Sequence, residues 1–202
     1  MSLKIEKEKI LIVEGTDEER IFNVLIGKHL NNSDIQILPI GGKTQLINKL
    51  RILCSVSEFN KVRSLGIVRD ADEDFNGAFE SVCDSLRANS LSIPSGPFIK
   101  TNSTPSISVF ITPNNSSNGA IENIFWEVIN QTNISSCITN YFQCILTNTG
   151  SNPRSIYKGY MHAYLSANID NPSLRFGESA ENGLWDFNDN CFNLIKSFIA
   201  NI

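Results

Sequence analysis

The chain has 202 residues, 41% of them hydrophobic and 19% charged, which is enough apolar material for one sizeable core and too much for a disordered chain. Its formal net charge of −4 argues against tight binding of nucleic acid by phosphate neutralisation alone, and suits a protein whose carboxylates meet phosphate through a divalent cation. No apolar run reaches the ~20 residues of a membrane span, and residues 1–9 lack the apolar stretch of a secretion signal, so a soluble, cytoplasmic protein with no membrane partner is expected.

Residues 10–13 form a short continuous apolar run, the pattern of a buried parallel strand. Glu14 and Gly15 follow. Thr16 and Glu19 have the spacing of a capping box, opening a helix whose stripe is Ile21, Phe22, Leu25 and Ile26 and which ends near Gly27. A second strand over residues 35–40 closes at Gly41 and Gly42, and residues 44–56 have helical spacing at Leu46, Ile47, Leu50 and Leu53. The third strand, 65–68, runs into Arg69, Asp70, Ala71 and Asp72, and a helix over 75–88 follows. After a polar loop at 94–105 come a fourth strand at 107–111 and a helix at 119–130. Beyond Asn130 the apolar runs at 138–146, 156–167 and 192–199 are all helical in spacing. Alternating strands and helices predict an α/β fold with a mostly parallel sheet flanked by helices. Residues 1–130 would form this core, and residues 131–202 a mainly helical extension packed on the same domain.

The carboxyl ends of parallel strands form the ligand edge of an α/β sheet. Glu14 sits at the end of the first strand, and Asp70 and Asp72 at the end of the third. Two aspartates so spaced can aim oxygens at one Mg²⁺, which takes a few carboxylates and completes its shell with water and phosphate. The same Asp-X-Asp pattern also serves as a turn or a helix cap. Gly42, Lys43 and Thr44 resemble the end of a P-loop, but Ile37 stands where its first glycine is required. What remains for Gly41, Gly42 and Lys43 is a phosphate contact at a helix N-terminus. Five cysteines, none in CxxC spacing, point to free thiols rather than a disulfide framework or a zinc site.

Residues 10–22 (ILIVEGTDEERIF) resemble the first motif of the TOPRIM domain of topoisomerases, primases and OLD-family nucleases, and residues 65–72 (LGIVRDAD) its Asp-X-Asp motif. The resemblance covers about residues 8–130. It implies a TOPRIM, Rossmann-like sheet, with Glu14 as general acid/base or metal ligand and Asp70 and Asp72 as ligands of Mg²⁺ or Mn²⁺. Residues 119–125 (GAIENIF) resemble the segment that supplies a further glutamate in the OLD nucleases, here Glu122, although Asn123 stands where an acid is common. Lys158 in YKGYMHAY resembles the lysine that approaches their scissile phosphate. Residues 176–187 are similar to the C-terminal part of small stand-alone TOPRIM proteins of unassigned function. A second metal would fall to Glu122 with Asp17 or Glu18. The activity implied is metal-dependent phosphodiester hydrolysis on DNA or RNA, with nucleic acid as partner through the bound metal. The alternative is a non-catalytic regulatory or assembly module. A homodimer or a protein partner is compatible with both.

Overall fold

The computed structural model describes residues 4–30 and 34–202. Four strands, β1 (Lys9–Val13), β2 (Ile35–Pro39), β3 (Ser64–Asp70) and β4 (Ser106–Thr112), form one sheet in the order β2-β1-β3-β4, every pair parallel. The helices are α1 (Thr16–Val24), α2 (Leu46–Ser55), α3 (Phe75–Ala88), α4 (Ile121–Asn130), α5 (Ile134–Thr149), α6 (Ile156–Ser166), α7 (Phe176–Glu181) and α8 (Asn193–Ala200). The architecture is α/β with C-terminal helices, as the alternation of apolar runs predicts.

The strands are apolar on both faces because both faces are covered. Ile10, Ile12, Leu65, Ile67 and Val109 point to one layer, with Leu50 and Leu53 of α2 and Val82 and Leu86 of α3. Leu11, Val13, Val68 and Phe110 point to the other, built from α1, α4 and the C-terminal helices. Aromatic rings dominate that second layer. Phe125 of α4 meets Phe176, Trp185 and Phe192 edge-on, at centroid distances of 4.8, 4.9 and 5.0 Å. The C-terminal Ile202 is buried against Gly66 in the middle of β3, where any side chain would collide with it. Residues 131–202 therefore share the core of the sheet.

Several local expectations are corrected. The capping box of Thr16 and Glu19 does not form: Gly15 is the N-cap, and no side chain caps the helix. Asp17, Glu18 and Glu19 in its first turn still complement the helix dipole. The helix passes Gly27 as a π-helical turn, Leu25–His29. The third strand extends through Asp70, and α4 begins only at Ile121. Helix α7 falls in a stretch with no apolar periodicity, which is why it escapes sequence reading. Among the described residues no helix is long and apolar enough to cross a membrane.

Candidate active site

Because the strands are parallel, the last residues of β1 and β3 open onto one edge, under α4 and α6. The strand period of two sends Arg69 and Asp70 to opposite faces. Asp70 is 5% exposed. Its Oδ1 accepts the Thr112 hydroxyl at 2.6 Å and the Ile121 amide at 3.0 Å, so it fastens the end of β4 and the first turn of α4 to β3. Its Oδ2 lies 3.9 Å from Lys158 Nζ. Burial nonetheless lifts the Asp70 carboxyl above its usual range, against the pull of Thr112 and Lys158.

Asp72 turns the chain in the left-handed region, with φ of 51°. Its backbone pairs with Gly119 in both directions, at 2.8 Å each. Its carboxylate accepts Lys43 Nζ at 2.9 Å. Glu14 leaves β1 with Oε2 at 3.4 Å from Arg69 Nη1. Burial, reinforced by Asp70, raises its proton affinity although Arg69 opposes. Glu18 folds back over Gly15, where an added Cβ would come within 2.9 Å of its Oε2. It too is raised by burial and by the fields of Asp70 and Glu14. Glu122, in the first turn of α4, keeps Oε2 buried with no hydrogen-bond partner among the described residues. Burial and Asp70 push its pKa up to about 7. Burial alone would lower Lys158, but Glu122, Asp70, Asp72 and Glu14 together hold it above its usual value.

The structure thus brings together Glu14, Glu18, Asp70, Asp72, Glu122 and Lys158. Among the described residues, no three His, Cys, Asp or Glu side chains converge tightly enough to form a preassembled metal cage. Asp17 belongs elsewhere. Its Oδ1 accepts the Gly177 amide at 3.1 Å, and a Cβ on Gly177 would come within 2.7 Å of that oxygen. Of the two residues offered for a second metal with Glu122, only Glu18 faces the cluster.

The phosphate role expected of Gly41 and Gly42 is also corrected. Their amides donate to the Glu14 carbonyl at 3.1 and 3.0 Å and are not available to a ligand. Both have positive φ, 79° and 112°, a conformation glycine adopts without strain. The pair holds the backbone of Glu14 in place. Lys43 remains at the site, through its side chain. Asn123, which stands where an acid is common in the resembling nucleases, accepts the Ala120 amide at 2.9 Å and caps its own helix.

Sequence reasoning missed Arg69 and Thr112. An arginine in an otherwise apolar strand run is itself a signal of a paired buried charge. Thr112 needs the register, which sets it opposite Asp70.

The model of the family described as a protein of unknown function (DUF3226) matches residues 8–202, and the chain belongs to that family. The fold is similar to that of a hypothetical protein from Pyrococcus horikoshii OT3 known from a crystal structure. The TM-score is 0.65 at 17% identity, over 98% of this chain and 95% of that one. No curated protein matches the chain.

Proposed function

We propose that this member of the DUF3226 family is a TOPRIM-like, OLD-type nuclease that hydrolyses nucleic-acid phosphodiesters with Mg²⁺ or Mn²⁺ at the carboxyl edge of its sheet. The observation that carries this reading is Glu122 Oε2, buried and without a hydrogen-bond partner among the described residues, near the carboxylates of Asp70 and Glu18. An unpaired buried oxygen costs free energy, and a crowd of carboxylates costs more. A divalent cation relieves both, and the donors are the hard oxygens that Mg²⁺ prefers. Asp70 and Asp72 would hold one ion, and Glu18 and Glu122 a second. Bound there, the metal supplies Lewis-acid stabilisation of phosphoryl oxygens and the positive charge that admits a polyanion to an acidic edge.

The chain's own groups do the rest. Lys158, held by α6 at 3.9 Å from Asp70, offers a fixed cation to the phosphoryl oxygens as their charge grows. Glu14, steadied by Arg69, accepts the proton of the attacking water. The test is a cleavage assay with either metal on single- and double-stranded DNA and RNA. Metal-dependent cleavage by wild type, absent in Asp70→Ala, is expected. Folded wild-type protein that cleaves none of these substrates would overturn the proposal.

A second reading has an observation of its own. Lys43, Arg69 and Lys158 already pair with Asp72, Glu14 and Asp70. Three of the five carboxylates are thereby offset from within, as in a non-catalytic regulatory or assembly module. Metal that raises the melting temperature while no substrate turns over would favour it.

A further inference from the structure

Beside Arg69 the edge opens into a cavity of about 750 Å³, the scale of a pocket for one or two nucleotides. Lys43, Arg69, Arg154 and Tyr157 line it, and Asp72 lies on the rim it shares with the carboxylate cluster. Arg69 is the buried cation of this lining. It is 8% exposed, yet among the described residues its Nε has no hydrogen-bond partner, and its contact with Glu14 is long at 3.4 Å. A buried guanidinium with unused donors beside a roomy cavity is a costly arrangement unless an anion completes it. Its planar fork matches a phosphate. Lys43 and the exposed Arg154 add charge at the mouth.

We infer that this cleft is a subsite for single-stranded nucleic acid, taking the phosphate next to the reacting one on Arg69 and Arg154 and its base on Tyr157. The inference rests on the nuclease reading. It specifies a single strand because duplex binding by the backbone needs a broad basic face. Here three cations sit within one cleft, Glu73 and Asp74 share its lining, and the whole chain is acidic. A confined groove with a few cations and an aromatic ring is instead how unpaired strands are held.

The test is equilibrium binding, by fluorescence anisotropy in Mg²⁺, of a short fluorescein-labelled oligothymidylate with cleavage-resistant phosphorothioate linkages, and of the matching duplex. Arg154→Ala should weaken single-strand binding severalfold and reduce the slope of log affinity against log salt by about 0.7. Tyr157→Ala should weaken it about tenfold, whereas Tyr157→Phe, which keeps the ring, should bind as wild type. Wild type should bind the duplex at least about tenfold more weakly. Arg154 is exposed, so its variant tests the cleft without threatening the fold. Arg154→Ala and Tyr157→Ala binding like wild type, or a duplex bound as tightly as the single strand, would overturn the subsite. Cleavage that persists alongside unchanged binding removes the subsite and leaves the nuclease reading intact. Binding that depends on the cleft, with no cleavage of ordinary DNA or RNA, keeps the subsite and removes the nuclease.

Discussion

Helix α1 starts between two regions that treat charge in opposite ways. At its junction with α7, Asp17 accepts the Gly177 amide at 3.1 Å and Arg20 pairs with Glu178 at 3.0 Å. At the carboxyl edge, one residue further along α1, Glu18 joins Glu14, Asp70 and Glu122, whose proton affinities all rise on burial. The first region is a joint in which each of these charges has a partner. The second holds more negative charge than its own lysines and arginines meet, with Glu122 Oε2 left unpaired. Acidity alone therefore does not mark a site. The presence or absence of partners does, and it separates neighbours in sequence.

The largest effect should come from the residue that serves both structure and site. Asp70→Ala should reduce metal-dependent cleavage to background. It should also lower the melting temperature, because the Thr112 hydroxyl and the Ile121 amide lose their acceptor. Asp70→Asn keeps an acceptor and should recover most of the stability but none of the activity. Recovery of activity in Asp70→Asn would show the edge to be a joint like the other.

Next is Lys158. If it meets charge that grows only in the transition state, Lys158→Ala should cost on the order of 10²–10³ in kcat with KM nearly unchanged. A change confined to KM would make it a binding residue.

The third test is the pH dependence of stability without metal. The folded-state pKa of Glu122, about 7, lies above its ordinary 4.5. Between these values the folded protein holds a proton that the unfolded chain has lost. Through Glu122 alone, stability should therefore fall as pH rises from about 4.5 to about 7 and level off above, by roughly 3 kcal/mol at most. Glu122→Gln should reduce that slope, leaving the part owed to Glu14, Glu18 and Asp70, and so should Mg²⁺, which offsets the charge and stabilises the form that binds it. Melting temperatures across this range, with and without metal, provide the measurement. A flat profile for metal-free wild type would mean that Glu122 is solvated.

Much of the sheet and half of the candidate site can be read from the residues. Continuous apolar runs ending in an acid announce parallel strands, and they put Asp70 at the carboxyl end of β3, with Glu14 and Asp72 just beyond β1 and β3. What they do not carry is direction around a helix turn. Asp17 and Glu18 are adjacent in sequence, and only the position of α7 decides which one looks inward. Helix α7 has too few turns to show a periodicity. Gly41 and Gly42 look like a phosphate cradle because glycine marks flexible turns of every kind. Their amides are taken by the Glu14 carbonyl, which is settled by strand pairing and not by composition.

The smallest effect tests the division within α1 itself. Asp17→Asn keeps an oxygen for the Gly177 amide and loses only charge, so its stability should fall by less than about 1 kcal/mol. Asp17→Ala removes the acceptor and should cost about 1–2 kcal/mol, because the amide is part-buried where the two helices meet. Neither substitution should change metal affinity or turnover, since Asp17 faces α7. Glu18→Gln should behave in the opposite way. It relieves repulsion from Asp70 and Glu14, so the metal-free protein should melt at the same or a higher temperature. It also removes a donor, so metal should bind more weakly. Isothermal titration with Mg²⁺ or Mn²⁺ beside thermal melts of the three variants separates these outcomes. Weakened metal binding in Asp17→Asn, with Glu18→Gln unaffected, would exchange the two residues and bring the α1–α7 junction into the site.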